Sequence, residues 1–178
     1  MKTIYIYTDG GCSGNQHEKN VGGYGAILQY GENKKEIKGG AKDTTNNIME
    51  MSAVIEALKL VTDKHINIEI YSDSAYVVEC FKKKWYLNWE KNGWKTSKKT
   101  PVENQELWVE LIKLVRSFNQ VTFFKVKGHL DPNKNAEFNK WYKKFIVQRE
   151  ISKEDYLYLI EMNNRADELA NIAMDEIR

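Results

Sequence analysis

An α/β fold, a five-stranded mixed sheet flanked by helices, is what this sequence predicts, and three observations carry the prediction. Five short runs rich in β-branched and aromatic residues are bounded by Gly and Asn turn signals. Longer segments place apolar residues at helical spacing. The order is three strands, a helix, a strand, helices, a strand and a final helix, which suits a sheet covered by helices on both faces. The 178 residues, 42% of them hydrophobic, suffice for one domain with its own core.

The strands Thr3–Asp9, Gly23–Tyr30 and Lys34–Gly40 are separated by Gly10-Gly11, Gly22-Gly23 and Gly31-Glu32-Asn33, and the last two form a hairpin. A helix runs from about Asn46 to Thr62, capped by Thr44 or Thr45. Ile48, Met51, Val54, Ile55, Leu58 and Val61 make its buried stripe. At 100° per residue, Glu50 falls about 20° beyond Val61, at the edge of that stripe. Ile66–Ser72 is the fourth strand, and a short helix follows from Ser74. One or two short helices then end near Gly93, Pro101 opens a helix through Phe118, and Gln120–Lys127 is the fifth strand. Beyond it, Asn135 to Arg149 reads as an amphipathic helix with Phe138, Trp141, Tyr142 and Phe145, and Ser152 caps a last helix. On that helix Leu159, Met162, Ala166, Leu169, Ala170, Ala173 and Ile177 face the core, Asp167 lies at the apolar border, and Glu168, Asn164 and Asp175 face solvent.

Net charge is only +2, but it is unevenly spread. Between Lys82 and Lys99 seven lysines stand against one acid, Glu90, so the stretch is +6. Trp85, Trp89 and Trp94 fall in the same stretch. Lysines attract phosphates and aromatic faces stack on sugars or bases, although a solvated helix with its tryptophans tucked inward gives the same pattern. Cys12 and Cys80 make no disulfide framework and read as free thiols of a reducing compartment. No apolar run is long enough for a membrane span and the N-terminus lacks a secretory pattern, so a cytoplasmic protein is expected.

Four acids stand out. Asp9 and Asp73 each end a strand-like run, and Glu50 and Asp167 sit on helices at the border of the apolar stripe. Each has a plain structural reading: Asp9 as a turn former before Gly10, Glu50 as a helix-edge acid, Asp73 as a cap, Asp167 as a salt-bridge acid. Together they could hold a pair of hard divalent cations about 3.5–4 Å apart, the arrangement that drives phosphodiester hydrolysis.

The runs Thr8-Asp9-Gly10-Gly11, Thr44 to Glu50, Ser72-Asp73-Ser74, Gly128-His129 and Asn163 to Ala170 appear in an order that resembles the ribonuclease H family, type 1 branch. The resemblance implies a ribonuclease H-like fold and an endoribonuclease that cuts the RNA strand of RNA–DNA hybrids, leaving 5′-phosphate and 3′-hydroxyl ends. It implies Mg²⁺, with Mn²⁺ as a substitute. Asp9 would bridge both ions, Asp167 would hold the ion that activates water, and Glu50 and Asp73 the ion on the leaving oxygen. His129 would relay a proton or assist product release. Gly10, Gly11, Cys12, Asn15, Asn46 and Asn47 would read the 2′-hydroxyl of the RNA, with Asn163 a further substrate contact. Thr45, Trp85 and Asn88 would grip the DNA strand, and Lys82 to Lys99 resembles the family's basic handle. A monomer is expected. A non-cleaving hybrid- or duplex-RNA-binding module, or another nuclease on the same fold, are the alternatives.

Two departures from the family pattern are visible. Ala75 stands where Gln is common two residues after the third acid. His129 and Asp167 are 38 positions apart, leaving an insertion at about 131–158. That segment either packs beside the cleft and orders the His129 loop, or forms a small helical core against the last helix.

Overall fold

The computed structural model describes residues 2–14 and 20–178. Its strands are β1 (Thr3–Ser13), β2 (Val21–Tyr30), β3 (Asn33–Lys42), β4 (Asn67–Ser72) and β5 (Gln120–Lys125). Its helices are α1 (Asn46–Lys59), α2 (Ala75–Lys82), α3 (Trp85–Lys91), α4 (Gln105–Arg116), α5 (Asn135–Phe145) and α6 (Lys153–Ile177). The sheet order is β3-β2-β1-β4-β5, antiparallel from β3 through β1 and parallel from β1 through β5. The mixed sheet and its flanking helices are those expected from the sequence.

Strand alternation sends neighbouring residues to opposite faces. Ile6, Ile70 and Phe123 point into one core with Met51, Val54 and Leu58 of α1 and Trp108 and Leu111 of α4. Tyr7, Tyr71 and Phe124 point into a second core with Phe145 of α5 and Tyr156, Leu159, Ile160 and Leu169 of α6. Tyr71 stacks on both Tyr7 and Phe124, at centroid distances of 5.4 and 5.1 Å.

Two glycines let helices lie against the sheet next to the acids. A Cβ on Gly10 would sit 2.5 Å from the backbone of Met49, so the start of α1 presses on β1 there. A Cβ on Gly25 would sit 2.5 Å from the carbonyl oxygen of Ala166, so α6 rests on β2 one residue before Asp167. Gly25 is also the register partner of Asp9. Any side chain at either position would push the helix, and its acid, away from the end of β1.

Caps follow the sequence in two cases. Thr45 accepts from Ile48 N at 3.1 Å and starts α1. Ser152 accepts from Asp155 N at 3.1 Å and starts α6. Asp73 does not cap α2, because Ser74 takes that role by accepting from Val77 N at 3.2 Å. The helix expected from Pro101 begins instead at Gln105. Pro101 pairs with Lys95 in an isolated bridge, and Asn104 at φ +58° turns the chain before the helix can start.

The basic stretch takes the form of a solvated surface with its tryptophans turned inward. Trp85, Trp89 and Trp94 pack against the first core while all seven lysines from Lys82 to Lys99 stay exposed. The insertion forms a helical core against α6, with Phe145 and Tyr156 buried between α5, α6 and the sheet. It also covers the edge of the sheet. Gln148 Nε2 donates to the Lys125 carbonyl at 2.8 Å, and Lys125 N donates back to Gln148 Oε1 at 3.1 Å. One side chain thereby takes the place of a neighbouring strand on exposed β5. Among the described residues, no helix is long and apolar enough to cross a membrane.

Candidate active site

β1 and β4 run side by side in parallel with Thr8 opposite Ser72. Their next residues, Asp9 and Asp73, therefore emerge together at the same end of the sheet. α1 brings Glu50 to the same point from one face and α6 brings Asp167 from the other. Carboxylate oxygens of Asp9, Glu50 and Asp73 all lie within 4.8 Å of one another. The Gly10 N–H donates to Asp9 Oδ1 and to Glu50 Oε1, both at 2.9 Å, so one backbone group holds two of the acids. Ser72 Oγ donates to Glu50 Oε2 at 3.4 Å.

Asp9 is 5% exposed and Glu50 7%. Burial, then repulsion from Glu50 and Asp73, pushes the Asp9 carboxyl far above the usual carboxylate range. Burial, then Asp73, raises Glu50 to about 8. Carboxylates gathered this closely, with no cationic side chain among the causes of either shift, are a poor arrangement for a protein alone. They suit a divalent cation, a hard ion that takes carboxylate oxygens and supplies the missing positive charge. The donor set therefore fits the metal site expected from the sequence.

His129 sits in a left-handed conformation, φ +55°, on the loop after β5. Its Nδ1 lies 3.6 Å from Asp167 Oδ2, and its side chain is 72% exposed. Gly128 before it packs directly on the site, where a Cβ would fall 2.1 Å from Asp73 Oδ2.

These groups line an open cleft of about 540 Å³. Asp9, Glu50, Asp73, His129 and Asp167 all border it, as do Gly10, Gly11, Cys12, Asn46 and Asn47. Asn46 Oδ1 accepts from Cys12 N at 2.7 Å and ties the start of α1 to β1. Thr45 is exposed beside them as the α1 cap. Trp85 and Asn88 lie on α3, away from the cleft lining, with Asn88 exposed and Lys83 Nζ 5.8 Å from the Trp85 ring. Asn15 lies outside the described residues. Asn163 is a correction: it is 1% exposed within α6 and its Oδ1 has no hydrogen-bond partner among the described residues, so it cannot touch a substrate in the cleft.

Two contributors escaped the sequence reading. Asn171, four residues after Asp167 on the same face of α6, lines the cleft, and that i,i+4 spacing was the available signal. Asn164, expected to face solvent, is half-buried and donates to the Leu130 carbonyl at 3.0 Å. Cys80 is buried, its thiol pushed up to about 12 by desolvation, so it is not a nucleophile of this site.

A mixed sheet with acids from two parallel strands and two flanking helices converging at one end defines a metal-dependent nuclease. The RNase H family model matches residues 1–144. A ribonuclease H of Clostridium botulinum (strain Hall) is 48% identical over 176 residues, spanning 99% of this chain and 98% of that protein. One of Moorella thermoacetica is 43% identical over 178 residues, spanning 100% and 95%. The chain belongs to the RNase H family. In fold it is similar to LC9-RNase H1, described as a type 1 RNase H with the type 2 active-site motif, at TM-score 0.69 and 23% identity over 98% of this chain and 73% of that one. It is also similar to LC11-RNase H1 in complex with RNA/DNA hybrid, at TM-score 0.60 and 22% identity over 98% of both chains.

Proposed function

We propose that this protein is an endonuclease that hydrolyses the RNA strand of RNA–DNA hybrids, acting as a cytoplasmic monomer and leaving 5′-phosphate and 3′-hydroxyl ends. The observation that carries the reading is the convergence of Asp9, Glu50 and Asp73 within 4.8 Å, with Asp167 beside them.

Asp9, Glu50, Asp73 and Asp167 would hold the divalent cations, Mg²⁺ by preference and Mn²⁺ as a substitute. When bound there, such cations would supply the positive charge that favours attack by water and neutralises the departing oxygen. The chain's own part is placement. The Gly10 N–H keeps Asp9 and Glu50 oriented before anything binds, so no reorganisation is needed at the moment of reaction. The His129 imidazole, 3.6 Å from Asp167 and open to solvent, takes or returns a proton at the edge of the cleft.

Strand choice comes from the walls. Asn46 and Asn47, with the backbone of Gly10, Gly11 and Cys12, offer donors and acceptors to a 2′-hydroxyl, the group that separates RNA from DNA. Thr45, Trp85, Asn88 and the exposed lysines from Lys82 to Lys99 take the DNA strand by its sugars and phosphates. In these roles the groups contact sugars and phosphates, so binding is expected to be independent of sequence.

A panel of single-stranded RNA, duplex RNA, duplex DNA and hybrid, each with Mg²⁺ and with Mn²⁺, tests the proposal. Cutting confined to the RNA of the hybrid is expected. Cutting of duplex DNA, or hybrid binding without any cutting, would replace the reading with another nuclease or with a binding module.

A further inference from the structure

The insertion holds an arrangement that neither fold nor carboxylate cluster explains. Trp141 on α5 is half-buried, and three ammonium groups gather around its indole. Lys144 Nζ lies 4.4 Å from the ring centroid, Lys127 Nζ 5.1 Å and Lys140 Nζ 5.3 Å. An indole face attracts cations, but it does not neutralise them. Three like charges around one ring repel one another, and among the described residues none of the three lysines has a carboxylate within salt-bridge distance. Lys38, Lys59 and Lys83 do have such partners. From Lys125 to Lys144 there are six lysines and two acids, Asp131 and Glu137, a local excess of +4.

Its position is as informative as its charge. Lys127 directly precedes Gly128, whose backbone abuts Asp73. The cluster therefore begins one residue from the rim of the cleft. Lys140 and Lys144 follow on successive turns of α5, about 6 Å apart along its axis. That stacks their ammonium groups like neighbouring charges on a nucleic-acid strand. The three lysines are exposed, and among the described residues they line no buried polar cradle of the kind that selects a small anion. Exposed ammonium groups on flexible stems instead suit an extended chain of phosphates, gripped without regard to sequence.

We propose that α5 and the loop after β5 form a second phosphate-binding platform, centred on Trp141 with Lys127, Lys140 and Lys144, that extends the grip on the hybrid beyond the cleft. The platform rests on the hybrid reading above for its ligand. It is distinct in sequence from the Lys82 to Lys99 stretch, being supplied by the insertion and by the loop leading into His129, and Lys82 Nζ, which donates to Gln148, joins the two. A hybrid long enough to leave the cleft on that side meets it, and a short one does not.

The test uses the full chain with Lys140→Gln and Lys144→Gln together, both exposed helix positions where Gln is well tolerated. A pair of equal charge change, Lys34→Gln with Lys35→Gln, serves as control. Those residues begin β3, opposite Gln29 and Leu28 and so at the other end of the sheet from Asp9. Binding is measured by fluorescence anisotropy without divalent metal, over a salt series, on a hybrid of one helical turn, about 10 base pairs, and on one three times as long.

The platform pair is expected to lower the slope of log Kd against log salt by about 1.8 on the long hybrid, at about 0.9 per phosphate contact. The short hybrid and the control pair should show no such change. In cleavage, KM on the long hybrid should rise while kcat at saturation holds. An unchanged slope on the long hybrid, or an equal fall in the control pair, overturns the platform. Failure of the hybrid-cleavage reading would show separately, as wild-type protein that does not cut hybrid, and the salt slopes would still decide on the platform.

Discussion

Asn164 Nδ2 donates to the main-chain carbonyl of Leu130 at 3.0 Å, joining the helix that carries Asp167 to the loop that carries His129. Leu130 is itself buried in the second core. The exposed imidazole is thus held from behind by one hydrogen bond and one apolar anchor. Asn164→Ala should cost about 1 kcal/mol of stability, typical of a lost hydrogen bond. It should also lower kcat through looser placement of His129, with KM little changed. In a His129→Ala background the same substitution should leave kcat where it was, and this double-mutant cycle separates positioning from general destabilisation.

Gly128 makes a sharper case. An added methyl would overlap Asp73 Oδ2, which lies 2.1 Å from the Cβ position. The carboxylate can swing aside, so Gly128→Ala should fold with little loss of stability. Misplacing a reacting group by an ångström costs on the order of 10²-fold in rate. Cleavage should fall by about that factor, and calorimetric titration should find weaker Mg²⁺ binding. Normal metal affinity in this variant would refute the contact.

The crowded carboxylates set a pH dependence for the metal-free protein. The folded-state values of Asp9 and Glu50 are raised above those of an unfolded chain, chiefly by burial. Folding then favours the protonated forms, so their penalty is absent below about pH 4 and grows as pH rises toward the folded-state values. Metal-free protein should melt at a higher temperature at pH 5.5 than at pH 8, provided the rest of the chain titrates little between them. Mg²⁺ should raise Tm more at pH 8. Asp9→Asn, which removes the most strongly shifted charge, should stabilise the metal-free protein by a few degrees, at about 2–4 °C per kcal/mol for a chain of this size. A lower Tm for Asp9→Asn would contradict this electrostatic picture.

The second core makes the insertion structural. Phe145 is 3% exposed among Tyr71, Phe124 and Tyr156. Phe145→Ala should destabilise the protein by about 3–5 kcal/mol in urea titration, in line with other buried aromatic truncations. The cleft itself is not touched, so kcat measured well below the melting temperature should be close to wild type.

Strands and helices were legible because alternation and helical stripes act locally. The positions of the four acids were legible for the same reason: strand ends and stripe borders can be counted along the chain. That Asp9 and Asp73 are neighbours depends on parallel pairing of β1 with β4, a long-range fact that only the family resemblance suggested. Asn163 and Asn164 show the limit. A helical wheel placed Asn164 in solvent because it cannot see the Leu130 loop folding onto α6. The motif match assigned Asn163 to substrate although it is buried within α6. The start of α4 was misplaced because Pro101 serves a bridge with Lys95, a contact that no local propensity encodes.

The most direct test of the central claim is cleavage of an end-labelled RNA–DNA hybrid with Mg²⁺ by wild type and by Asp73→Asn. The substitution keeps the shape of the side chain and removes the charge that a cation needs. Cutting of the RNA strand alone by wild type, and its loss in Asp73→Asn with hybrid binding intact, is the result expected. Equal cutting by both proteins would contradict the account, because the carboxylate cluster would then not be where the reaction takes place.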